Sequence, residues 1–242
     1  MLMLAACSGG GGSSVTPPAH VLVDSMAVSR SASPSATPFP SYIGLYQGGY
    51  LGNTSTLWPR FGPDVNGGKG QAVDGYGCGS MADNSYHVHA WLGILVNGVF
   101  QQVPPGIGMV NPGAPTRGFY GHASCFYNIH THDSDGYIHM EVLSTTHLSG
   151  TVFTLGNVLD MWGEQISPQN FGEYSGPVRV FVNRTPLAQI YTPIGGWQEI
   201  TSATGLEWST FPLYSHSAVI VEVGPTFVEA ASLPQIKFYT QY

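Results

Sequence analysis

Five histidines fall in two tight clusters, His87 and His89 in "HVHAW" and His130, His132 and His139 in "HTHDSDGYIHME". The second stretch also holds Asp133, Asp135 and Glu141, in a chain where only 9% of residues are charged. Imidazole nitrogen is the commonest metal ligand in proteins and suits zinc, copper, iron or nickel. Three or four such nitrogens with no obligatory thiolate favour zinc or Cu(II). The expected cofactor is therefore one transition metal ion, zinc or copper, held by His87, His89, His130, His132 and His139. Asp133 and Glu141 are placed as acceptors that orient ring N–H groups, with Glu141 also a candidate oxygen ligand or general base. The competing reading is that DSDG is simply a good turn and each histidine is satisfied by a carbonyl. His20, His122, His147 and His216, which stand alone, belong to that class.

What sets the five apart is the local structure that must carry them. In "HVHAWLGILVNGVF", Val88, Ala90, Leu92, Ile94 and Val96 alternate with His87, His89, Trp91, Gly93 and Leu95. Period two means a strand, so His87 and His89 share a face. Asn97-Gly98 is the preferred type I′ hairpin turn. A second hairpin spans "CFYNIHTHDSDGYIHMEVL". If DSDG turns symmetrically, His132 faces Tyr137, His130 faces His139 and Asn128 faces Glu141 across the strands. Directly opposed residues have Cβ atoms about 4.5–5.5 Å apart, close enough for two imidazoles to share an ion. After the second hairpin, Leu155, Val158, Leu159 and Trp162 stand at helical spacing and Gly163 is a natural C-cap, which predicts one short helix near residues 154–163.

Three cysteines are present. Leu4-Ala5-Ala6-Cys7 has the form of a bacterial lipobox, with Cys7 as the lipidation site. The residues before it are short for a signal peptide, so the sequence reads as beginning with a truncated lipoprotein signal (residues 1–7). Residues 8–40 are dominated by Ser, Pro, Ala and Gly and read as a disordered tether. Ser8 suits an outer-membrane destination, giving a periplasm-facing or cell-surface protein anchored to the membrane through its N-terminal lipid. In that oxidising setting Cys78 and Cys125 are expected to form a disulfide. The alternative is that they are thiolate ligands for a soft metal.

The formal net charge is −7 with only seven Lys plus Arg, which argues against a nucleic-acid partner. Abundant aromatic and β-branched residues, cut up by 32 Gly and 18 Pro, favour an all-β domain over residues 41–242. Val96-Asn97 is echoed by Val182-Asn183, and Glu141-Val142 by Glu222-Val223. The echo suggests a β-sandwich of two similar hairpin-containing halves, about 72–165 and about 177–242, packed face to face. The histidines are not echoed: Ile220 stands where the first half has His139. The chemistry therefore belongs to the first half.

These motifs resemble those of a family of functionally uncharacterised bacterial secreted proteins and lipoproteins. The pattern runs through Val73-Asp74-Gly75, Cys78, His87, His89, Asn97-Gly98, Pro104, Ile107-Gly108, Cys125, His130 to Glu141, and Leu155 to Gly163, about 90 residues in all. The resemblance implies a His-x-His-x-His strand whose third place is Trp91 here, and it implies no activity. Three functions from different classes follow: a metal-binding or metal-handling lipoprotein, a zinc-dependent hydratase or hydrolase, and a surface adhesion or assembly module with incidental histidines.

Overall fold

The computed structural model describes residues 42–45, 69–81, 86–142, 152–183 and 196–238. Cys7, the tether of residues 8–40, His20 and His147 lie outside the described residues. The centre is a seven-stranded sheet of β1 (Tyr86–Val96), β2 (Val99–Gln101), β3 (Ile129–His130), β4 (Tyr137–Val142), β5 (Val178–Asn183), β6 (Gln198–Ile200) and β7 (Ala218–Val223). Its order is β6-β5-β7-β1-β4-β3, with β2 also paired to β1. The eleven residues of β1 make it long enough to serve two antiparallel partners in succession. Its first half pairs with β4 and its last three residues with β2. The Asn97-Gly98 turn has φ of 51° and 76°, the double left-handed geometry the hairpin requires.

The near-continuous apolar run of β1 has a physical reason, since both faces of the strand are covered. Ala90, Leu92 and Ile94 belong to one cluster, which also holds Ile138, Met140 and the apolar side chains of the helix Leu155–Trp162. Trp91 and Leu95 belong to another, with Phe181, Ile220, Leu233, Ile236 and Phe238. The helix forms where its sequence predicted. Thr154 and Asn157 cap its start reciprocally, and Gly163 ends it at φ 81°. Its Leu155, Val158, Leu159 and Trp162 are at most 2% exposed, each contributing about 1.5–3 kcal/mol by burial.

Among the described residues the fold is all-β with one helix longer than a single turn, as the sequence indicated; Leu206–Ser209 adds one further helical turn. The two halves meet differently from the expectation. They join edge to edge, because β7 runs parallel to β1 from Ala218 opposite Trp91 to Val223 opposite Val96. Alternation along a strand shows which residues share a face but not which strand lies alongside. Small sheets and the helix supply the flanking layers instead. One of them unites Cys78–Gly79, Cys125–Tyr127 and Met109–Val110, and carries the Cys78–Cys125 disulfide with its Cα atoms 5.5 Å apart. The expected disulfide is formed, so neither cysteine is a thiolate ligand. It closes a separation of 47 residues, worth about 4 kcal/mol in the chain-entropy account. It also ties the segment leading into β1 to the segment leading into β3.

Candidate metal centre

Strands β3, β4 and β1 lie side by side, and their register sets three histidines in a row. His130 is opposite His139, and His139 is opposite His89. Two residues along β4, Glu141 is opposite His87. The hairpin therefore has the register expected for a symmetrical DSDG turn. The two hairpins, whose adjacency no local pattern could establish, are direct neighbours. Nε2 of His87 lies 3.0 Å from Nδ1 of His139, and Nε2 of His89 lies 3.2 Å from the same atom. Oε1 of Glu141 is 3.1 Å from His87 Nε2, 3.8 Å from His130 Nε2 and 3.9 Å from His139 Nδ1.

His130 and His132 reveal most about the chemistry. Nδ1 of His130 donates to the Tyr127 carbonyl at 2.9 Å, and Nδ1 of His132 to the Tyr120 carbonyl at 2.5 Å. A carbonyl oxygen can only accept, so in each ring Nδ1 carries the proton and a neutral ring leaves its lone pair on Nε2. Those two Nε2 atoms face each other at 3.2 Å. Two lone pairs at that distance repel unless a cation stands between them. A proton is a poor candidate, since burial and the neighbouring histidines hold the pKa of His130 down at about 3. His89 is held down at about 3 for the same reasons, and burial first, then the other histidines, lowers His139 well below its ordinary value. A metal ion between them would resolve the conflict, and the histidine groups here could hold one. Nitrogen ligands about 2.0–2.1 Å from a tetrahedral ion stand roughly 3.3 Å from one another, close to the spacings observed.

The surrounding residues hold this geometry. Thr131, completely buried between the two histidines, donates from its hydroxyl to the Pro104 carbonyl at 2.9 Å and accepts from the Ile107 amide at 3.1 Å. The Pro-Pro-Gly-Ile-Gly loop is thereby clamped along the ligand strand. Gly108 completes the fit at φ +69°, because a Cβ there would sit 2.1 Å from the Ile129 carbonyl oxygen. Trp91 donates from Nε1 to the Asp135 carbonyl at 2.9 Å and so steadies the DSDG turn. Aromatic rings wall the site. Phe119 stacks on His132 with centroids 4.6 Å apart, Phe126 lies 5.3 Å from His130, and Tyr137 lies 4.5 Å from His89. The side chain of His87 is 33% exposed against 0% for His130, so the centre opens on the His87 side.

The acidic residues sort differently from one another. Glu141 points into the cluster, and burial pushes its pKa up to about 7. The Asp133 carboxylate accepts from the Asp135 amide at 3.3 Å within the turn. The Nδ1–H groups of His130 and His132 donate to main-chain carbonyls, so the orienting role expected of carboxylates falls to the backbone there. Three contributors were not foreseen. The Tyr120 and Tyr127 carbonyls carry no side-chain signal at all. His216, set aside as a solitary histidine, donates its amide to the His89 carbonyl at 2.7 Å, and its charge would further disfavour protonation of His89. His122 stays outside the cluster, its carbonyl accepting from the Gly113 amide at 2.8 Å. No protein-family model, curated protein or solved structure matches the chain.

Proposed function

We propose that this is a lipid-anchored, extracytoplasmic metal-binding protein that takes zinc or copper through its histidine centre. One observation carries the metal: two buried imidazoles whose Nδ1 protons are committed to carbonyls turn their Nε2 lone pairs on each other at 3.2 Å. The remaining ligands are His87, His89, His139 and Glu141, whose donor atoms approach at 3.0–3.2 Å. The anchor rests on Leu4-Ala5-Ala6-Cys7 and on the motif resemblance to secreted proteins and lipoproteins. A disulfide between Cys78 and Cys125 accords with an oxidising compartment. Elemental analysis of protein purified without an affinity tag tests the centre. Zinc or copper is expected in the wild type and lost from a His130→Ala/His139→Ala variant; equal content in both overturns the reading. Mass spectrometry of the N-terminal peptide from cells, with and without Cys7→Ser, tests the anchor.

A zinc-dependent hydratase or hydrolase is the second reading, favoured by the Glu141 carboxyl. It stands 3.1 Å from the most open ligand, on the side where the centre meets solvent. In that case Glu141 moves a proton, and Glu141→Gln keeps the metal while abolishing turnover of ester or carbonate substrates by the zinc-loaded protein. In the metal-handling case Glu141→Gln weakens metal retention, and the zinc-loaded wild type turns over neither substrate.

A further inference from the structure

Five imidazoles and one carboxylate crowd this centre, whereas a tetrahedral ion takes four ligands. The ligand atoms of His87, His89 and His139 lie within 4.8 Å of one another, and so do those of His130, His132 and His139. Ligands on one ion at about 2.0–2.1 Å are separated by roughly 3.3 Å when tetrahedral neighbours. Contacts near that spacing fall into two groups. His139 pairs with His87 at 3.0 Å and with His89 at 3.2 Å, while His130 pairs with His132 at 3.2 Å. Glu141 reaches towards both, with Oε1 3.1 Å from His87 Nε2 and 3.8 Å from His130 Nε2.

Building on the metal-binding reading above, we infer that the centre holds two transition-metal ions. An outer ion sits under His87, His89 and His139, and an inner ion under His130 and His132. His139 and the Glu141 carboxylate stand between them. The two positions differ in access. The inner pair is 0% and 4% exposed and is lined by Phe119 and Phe126. The outer position is bordered by His87, whose side chain is 33% exposed. The inner ion therefore secures the hairpin, while the outer ion exchanges with solvent and with small competing ligands. Such an outer ion is the one a metal-handling protein would accept or pass on.

Zinc titration of the chelator-stripped, untagged full chain tests this, with bound zinc counted after gel filtration and by native mass spectrometry. Two zinc ions per chain are expected. Their release to excess colorimetric chelator should be biphasic, the slow phase at least ten times slower than the fast one. His87→Ala should keep the slow ion alone, and His132→Ala the fast ion alone. One ion per wild-type chain overturns the two-ion inference and leaves the metal-binding reading standing; no ion overturns both. Where His132→Ala fails to fold by circular dichroism, the wild-type count and release kinetics still decide. Monophasic release of two ions overturns the inner and outer assignment.

Discussion

Thr131→Val removes one hydroxyl and almost no volume, yet it attacks the part of the fold that holds the two buried ligands. The hydroxyl serves the Ile107 amide at 3.1 Å and the Pro104 carbonyl at 2.9 Å, in a residue with no exposed surface. Valine satisfies neither group, and each buried polar group left without a partner costs about 1–3 kcal/mol. For the two groups the expected loss is about 2–6 kcal/mol. With a urea dependence of about 3 kcal/mol per molar for a domain of this size, the unfolding midpoint of the metal-free, disulfide-intact protein should fall by roughly 0.7–2 M. Thr131→Ser keeps the hydroxyl and loses one methyl, worth about 0.8 kcal/mol, so its midpoint should fall by only about 0.3 M. Zinc should raise the wild-type and serine midpoints by similar amounts. It should raise that of valine less, because the loosened loop no longer fixes the spacing of His130 and His132. The reasoning fails if Thr131→Val unfolds at the same urea concentration as Thr131→Ser.

Three further outcomes follow from other contacts. Cys78→Ser/Cys125→Ser should cost about 4 kcal/mol in urea unfolding, yet zinc binding should persist in a weakened form, because β1 is still paired to β4 through His89 and His139. Gly108→Ala, at φ +69° with its Cβ 2.1 Å from a carbonyl oxygen, should cost at least about 2 kcal/mol and lower the melting temperature by roughly 5 °C or more. Burial, then the nearby Glu173, pushes the pKa of Glu164 up to about 7. The folded state thus holds this proton more tightly than the unfolded chain, and the associated stability is full below about pH 4.5 and lost as pH rises through 7. Glu164→Gln should remove that loss, seen as a difference of roughly 1–3 kcal/mol from wild type between pH 5 and pH 8.

The parts of the site that depend on neighbours along the chain were legible in the sequence. The DSDG turn fixes His130 opposite His139, the Asn97-Gly98 turn fixes the hairpin after β1, and the spacing from Leu155 to Gly163 fixes the helix. The parts that depend on distant pairing were not. Nothing local states that β1 lies beside β4, and only that pairing brings His87 and His89 to His139. The same limit explains why the halves were expected face to face, when Ala218–Val223 lies alongside Trp91–Val96 in one sheet. Backbone acceptors were also invisible. Tyr120 and Tyr127 orient the imidazoles through carbonyls that any residue could supply, and Asp133, the obvious carboxylate, is engaged in its own turn.

The placement of the centre follows from where the sheet's pairing stops. Along β1 the parallel ladder with β7 runs from Val96 back to Trp91, opposite Ala218, where β7 begins. Within that ladder the face shared by Trp91 and Leu95 is sealed by Phe181, Ile220 and Ile236, all at most 1% exposed. A histidine in place of Ile220 would be desolvated there among apolar side chains, with the penalty that burying an unpaired polar group carries. Beyond Trp91 the ladder gives way to single bonds, His216 amide to His89 carbonyl at 2.7 Å and Trp91 amide to Ser217 carbonyl at 2.8 Å. The same face now passes from dry to accessible within two residues, His89 at 3% exposure and the His87 side chain at 33%. A metal site that both holds and exchanges needs such a gradient, with ligands dry enough to stay neutral at one end and reachable at the other. Ile220, which the sequence echo sets against His139, lies inside the sealed stretch, where an imidazole would have neither water nor a partner ligand.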